Sequence, residues 1–230
     1  MPCLPRSIIT ALAALALLAT AMGSTYAQTP NDAAMRAQAE ASMKQHYELR
    51  TASFSQDSTQ RDIVMLGDSL VEGTDWATYF PSVTSANRGI GGDTTQGMVN
   101  RLDSVLNLKP RKVFIMAGIN DLSWYGWPVT DVYDRYKQMI DTLSRTKIKV
   151  YVQSTLFVGP AFPPAVNVSV ADLNTRLRDY CKQGHCTFID LNPTLAPSGA
   201  LDLRYTVDHL HVNADGYASW AAVIAPFFKR

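Results

Sequence analysis

Apolar positions along the chain fall into two alternating patterns. Short continuous apolar runs, of the kind a strand shows when both its faces are buried, occur at 62–66 (DIVML), 113–117 (VFIMA), 149–153 (KVYVQ) and 187–189 (TFI). Between and after them, apolar residues recur at helical spacing. One such face is Met98, Leu102, Val105 and Leu106; a second is Val132, Tyr136, Met139, Ile140 and Leu143. A third is Leu173, Leu177, Tyr180 and Cys181, and the last is Tyr217, Ala221, Ile224 and Phe228. Thr130 and Ser169 are the predicted N-caps of the second and third. Residues 34–50, rich in Ala, Met, Gln and Glu, predict a further helix after a polar leader at 28–33. Strands alternating with helices predict an α/β fold, a single-domain three-layer α/β/α sandwich around a parallel sheet. Such sheets bind ligands at the carboxyl ends of their strands, so chemistry is expected just after each apolar run.

The first 27 residues break this pattern. Arg6 precedes a mainly apolar run at 8–18, too short to span a bilayer, and Thr25-Tyr26-Ala27 offers small residues before a cut. This reads as a secretory signal peptide cleaved after Ala27, giving a periplasmic or secreted protein with no stable membrane anchor. Residues 28–59 then form an N-terminal leader and helix, and residues 60–230 the main domain. Cys3 precedes the apolar run, which argues against lipid attachment. The whole chain of 230 residues carries 21 basic and 20 acidic side chains. Without residues 1–27 it has 203 residues and no net charge, which argues against a nucleic-acid partner. Two cysteines remain, Cys181 and Cys186. In an exported protein such a pair suggests a disulfide; two free thiols, or a metal site with His185, are the alternatives. No fourth ligand has suitable spacing, so neither metal nor cofactor is expected.

Four short blocks lie where the fold rule places chemistry. Gly67-Asp68-Ser69-Leu70 follows the first strand; by itself it is equally a helix-capping turn. Asn87-Arg88-Gly89-Ile90-Gly91-Gly92-Asp93-Thr94 has glycines that let backbone approach a ligand. It falls short of a dinucleotide fingerprint because Thr94 stands where the third glycine would be. Gly118-Ile119-Asn120-Asp121 follows the second long strand; Asn120 can offer an amide N–H to negative charge, or close an Asx turn. Asp208-His209-Leu210-His211 precedes the last helix. Its Asp208 and His211 can meet within one turn, where the carboxylate would fix the imidazole tautomer. His209 is the rival base.

In combination and in this order the blocks resemble those of the SGNH hydrolase superfamily, the GDSL esterases and lipases. The resemblance covers roughly residues 60–228. It implies a flavodoxin-like parallel sheet and hydrolysis of carboxylic esters. It implies Ser69 as nucleophile, His211 as general base and Asp208 as its orienting acid. It implies an oxyanion hole from the Ser69 and Gly92 backbone N–H groups and the Asn120 side chain. No G-x-S-x-G elbow surrounds Ser69, which separates the chain from the α/β-hydrolase fold. The second and third blocks are most similar to the acetylhydrolase and carbohydrate-acetylesterase branch, so the expected substrate is a small-molecule or glycan ester with a short acyl group, acetyl first. A thioesterase or lysophospholipase of the same superfamily is the alternative, and a non-catalytic exported binding module is a further one. Trp124, Tyr125 and Trp127 follow Asn120 on one loop and are candidates for stacking on a sugar ring or covering an acyl chain.

Overall fold

The computed structural model describes residues 30–229. The expected signal segment 1–27, its expected cleavage after Ala27 and Cys3 lie outside the described residues.

Five parallel strands form the sheet: β1 (Ile63–Gly67), β2 (Ser85–Gly89), β3 (Lys112–Met116), β4 (Lys149–Gln153) and β5 (Thr187–Ile189), in the order β2-β1-β3-β4-β5. This is the flavodoxin-like order, in which the succession of strands reverses direction across the sheet between β1 and β3 and opens a crevice at their carboxyl ends. Four of the strands are the apolar runs of the sequence. The fifth, β2, is not legible as one. Its sequence is SANRG, with Asn87 and Arg88 in its centre. Asn87 Nδ2 donates to the Val71 and Thr74 carbonyls at 2.8 and 2.9 Å, and Arg88 Nη2 pairs with Asp57 at 3.0 Å. Hydrogen bonds and an ion pair satisfy these polar side chains.

Helices cover both faces. On one side α4 (Thr95–Asn100), α7 (Val129–Arg145) and α8 (Pro164–Tyr180) pack in a row, with α5 (Asp103–Leu106) after α4. On the other, α10 (Ala214–Ile224) and the turn after it meet the sheet through rings. Phe114 stacks on Tyr151 (4.6 Å) and touches Phe228 (4.8 Å), while Trp220 packs edge-on against Trp76 (5.2 Å). Trp76 belongs to α3 (Trp76–Tyr79); α2 (Ser69–Glu72), α6 (Ile119–Ser123) and α9 (Asn192–Leu195) are the other short helices. The amino-terminal α1 (Pro30–Ser55) reaches further in both directions than the predicted 34–50 and takes in most of the expected polar leader.

Three local expectations are corrected. Thr130 does not cap α7: the helix starts one residue earlier, at Val129 after Pro128, and the Thr130 hydroxyl meets Asp131. Ser169 is interior to α8, which begins at Pro164, where a proline with no N–H is suited to the first helical position. The face from Met98 to Leu106 is broken between α4 and α5 at Arg101–Leu102. Cys181 and Cys186 are joined as a disulfide that links the end of α8 to the start of β5. No helix among the described residues is long and apolar enough to cross a membrane.

Candidate active site

The four blocks meet at the carboxyl ends of β1, β2 and β3, beside the crevice. Ser69 is the first residue of α2. Asp68, fully buried, caps that helix by accepting the Leu70 N–H at 3.0 Å. The capping turn anticipated for this block is therefore real, and Asp68 fills it, leaving the Ser69 hydroxyl free to face outward. Tyr217 of α10 supports the turn from below, donating to the Leu70 carbonyl at 2.9 Å. Gly67 and Gly89 allow the closeness: a Cβ at Gly67 would stand 2.5 Å from the Met116 carbonyl, and one at Gly89 would stand 2.3 Å from the Glu72 nitrogen.

His211 lies 142 positions away in sequence, and its Nε2 is 3.1 Å from Ser69 Oγ. Its Nδ1 is 2.7 Å from Asp208 Oδ2. The other Asp208 oxygen accepts the backbone N–H groups of His211 (2.6 Å) and Leu210 (3.0 Å), so the carboxylate is fixed by the same turn it orients. Burial alone would raise the Asp208 pKa, but the hydrogen bonds from His211 outweigh it and hold the acid below its ordinary value. His209, the rival base, has a positive φ of 70° and packs on Gly159, outside the pocket lining.

The loops after β2 and β3 are latched together. Asn120 Nδ2 donates to the Asp93 carbonyl at 2.8 Å. Asp121 accepts the Thr95 N–H at 3.1 Å and the Thr95 hydroxyl. Asp93 pairs with Arg101 at 2.7 Å, and Arg101 also donates to the Gly67 carbonyl at 3.0 Å, tying the second loop to the end of β1. These acids sit among apolar side chains. Burial, resisted by the Leu70 N–H and reinforced by Asp93, pushes Asp68 up to about 7. Burial against the Arg101 ion pair leaves Asp93 at about 6, and burial raises Asp121 despite its bonds from Thr95.

Ser69, Gly92, Asn120 and His211 line one small pocket together with Met43, Ser123, Trp124, Tyr125 and Leu210. The expected residues Trp124 and Tyr125 are thus on its wall. Trp127 is not: it stacks behind Tyr125 (5.2 Å) with the Arg135 guanidinium over its ring (4.7 Å). Sequence reasoning missed Met43, a residue of α1 with no motif around it. It also missed Glu72, which accepts the Gly91 N–H at 2.6 Å and faces His46 at 2.9 Å and Arg50 at 3.0 Å. No group of three or more potential metal ligands is found among the described residues.

The chain is similar to several known proteins. It is 27% identical over 149 residues to the N-acylneuraminate cytidylyltransferase of Streptococcus agalactiae serotype V, a match covering 64% of this chain and 34% of that protein. The chain thus spans about a third of the length of the first curated relatives it matches. It is 27% identical over 165 residues to the human platelet-activating factor acetylhydrolase IB subunit alpha2, covering 68% of this chain and 71% of that one. Among solved structures, a GDSL-like lipase from Bacteroides thetaiotaomicron superposes with a TM-score of 0.69 at 24% identity, covering 79% of this chain and 96% of that chain. Residues 65–219 match the family model described as GDSL-like Lipase/Acylhydrolase, a span that holds the serine turn after β1, both latched loops and the Asp208–His211 turn. On that match the chain belongs to the GDSL-like lipase/acylhydrolase family.

Proposed function

We propose that the chain is an exported serine esterase that removes short acyl groups, acetyl foremost, from a carbohydrate or similarly small alcohol. The observation that carries this reading is the chain of contacts Ser69 Oγ, His211 Nε2, His211 Nδ1, Asp208 Oδ2, at 3.1 and 2.7 Å.

Asp208, held ionised by its three hydrogen-bond donors, keeps a proton on His211 Nδ1 and leaves Nε2 as an acceptor. Nε2 takes the Ser69 proton as Oγ bonds to the ester carbonyl carbon. The carbonyl oxygen gains a full negative charge and is received by the Ser69 and Gly92 N–H groups and the Asn120 side chain. One Asn120 amide hydrogen is committed to the Asp93 carbonyl, which orients the group; the second is available to the oxyanion. As the tetrahedral centre collapses, the carbon–oxygen bond to the alcohol breaks and the alcohol leaves with the proton from Nε2. Water repeats the sequence: it gives a proton to Nε2, bonds to the acyl carbon and releases the acid as the Oγ bond breaks and Ser69 recovers its hydrogen.

A short acyl group is supported by the small pocket and by the acetylhydrolase name of the human relative. The Tyr125 ring on the pocket wall supports a ring-bearing alcohol. Export rests on the signal pattern of residues 1–27 and on the disulfide, which suits an oxidising compartment. The test compares kcat/KM for p-nitrophenyl acetate, butyrate and octanoate and for acyl thioesters, then measures acetate release from acetylated xylan, O-acetyl sialic acid and peptidoglycan. Preference for acetyl oxygen esters is expected. Preference for long acyl chains or thioesters would replace this reading with a lysophospholipase or thioesterase.

A further inference from the structure

Residues 30–55 lie outside the family match, yet α1 is fastened across the pocket. At one end Arg36 Nη2 donates to the Trp124 carbonyl at 3.3 Å, and its guanidinium lies 5.2 Å from the centre of the Trp124 ring. Toward the other end Tyr47 donates to the Gly97 carbonyl at 3.0 Å and Arg50 to the Gly89 carbonyl at 3.1 Å, with Phe54 buried beneath Arg50 and Arg88. Between these ends the Met43 side chain covers Gly92. Gly92 has φ of +77°, and a Cβ there would stand 2.4 Å from Met43 Sδ. The helix therefore bridges the loop after β2 and the loop after β3, and Met43 is its contribution to the pocket wall.

The reaction geometry assigns directions within the pocket. The departing alcohol oxygen must face His211 Nε2 to be protonated, so the alcohol occupies the His211 and Leu210 side. The carbonyl oxygen faces Gly92 and Asn120. The acyl substituent is left with the wall made by Met43, Ser123 and Trp124. We propose that Met43, carried by α1, is the end wall of the acyl subsite and limits it to acyl groups of about two carbons, which makes α1 a specificity element of the enzyme. A thioether suits that place: it is apolar, unbranched and packs against a methyl group without demanding a hydrogen bond. The proposal rests on the esterase reading of Ser69.

The test is Met43→Ala, Met43→Leu and Met43→Phe in the full chain, with kcat/KM measured on p-nitrophenyl acetate, propionate, butyrate and hexanoate. Met43→Ala is expected to raise the butyrate-to-acetate ratio about tenfold or more, the scale of one or two methylenes in an apolar pocket. Met43→Leu keeps the wild-type ratio. Met43→Phe lowers the propionate-to-acetate ratio about tenfold, and carries the test should Met43→Ala melt early by circular dichroism. Ratios within twofold of wild type in folded Met43→Ala and Met43→Phe overturn the proposal. So does a change confined to the alcohol, seen by varying the leaving group at constant acetyl. Wild-type hydrolysis that survives Ser69→Ala would instead overturn the esterase reading, so the two failures are distinguishable.

Discussion

Asn120 donates its side-chain amide to the Asp93 carbonyl at 2.8 Å, so the loop after β3 holds the loop after β2 in place and has its own amide aimed by it. One side chain thereby serves two loops. Asn120→Ala is expected to lower kcat on p-nitrophenyl acetate by about 10²–10³, or roughly 3–4 kcal/mol, with a much smaller change in KM. A variant whose KM rises while kcat is kept would place Asn120 in ground-state binding only.

Asp208→Asn tests the tautomer argument. The asparagine oxygen can keep the His211 and Leu210 N–H bonds, while its amide nitrogen faces Nδ1 and donates there. That forces the imidazole proton onto Nε2, where it cannot accept from Ser69. A loss of about 10⁴ in kcat is expected with thermal stability little changed. Activity within tenfold of wild type would remove Asp208 from the mechanism.

Asp68 makes stability depend on pH. Folding raises its pKa from 3.8 to about 7, so the native state binds this proton more tightly than the unfolded chain. The stabilisation is complete below about pH 4 and is lost as pH rises toward 7. Asp93, at about 6, acts in the same direction, whereas the lowered Asp208 acts oppositely and costs stability only under acid conditions. Asp68→Asn can still accept the Leu70 N–H but no longer titrates. Its Tm relative to wild type is expected to rise by about 5 °C or more between pH 4 and pH 8, measured by calorimetry. A constant offset across that range would contradict the assignment.

The Cys181–Cys186 bridge closes a very short loop, with a sequence separation of 5. A loop that small contributes about 2 kcal/mol in the chain-entropy account. The double variant Cys181→Ser/Cys186→Ser is expected to lower Tm by about 4–8 °C and leave kcat/KM within twofold. Two titratable thiols in the unreduced protein would show instead that the pair is not oxidised.

The parts of the molecule that were legible in the sequence share one property: apolar burial wrote them. β1, β3, β4 and β5 are short apolar runs, and the α7 face from Val132 to Leu143 is an uninterrupted helical stripe. Three of the four blocks are legible because each follows an apolar strand or precedes the last helix; the second begins inside β2 and is legible only by its glycines. What stayed hidden is held by polar contacts. β2 satisfies Asn87 and Arg88 by hydrogen bonds and an ion pair, so no apolar run marks it. The docking face of α1 carries Arg36, His46, Tyr47 and Arg50 alongside Met43 and Phe54, so its composition predicts a helix but not what it rests on. The starts of α7 and α8 were misplaced because Thr130 and Ser169 are good caps in isolation, whereas Pro128 and Pro163 set the entry of the chain. Trp127 was grouped with Trp124 and Tyr125 by adjacency, yet the turn after α6 directs it behind them.

The most direct test of the central claim is covalent labelling of the nucleophile. The protein is treated with a fluorophosphonate, digested and mapped by mass spectrometry while hydrolysis of p-nitrophenyl acetate is followed in parallel. One adduct is expected, on Ser69, with activity lost in proportion to labelling. Ser69→Ala is expected to take up no label and to turn over at least about 10³-fold more slowly. Labelling at another residue, or near wild-type turnover by Ser69→Ala, would contradict the account.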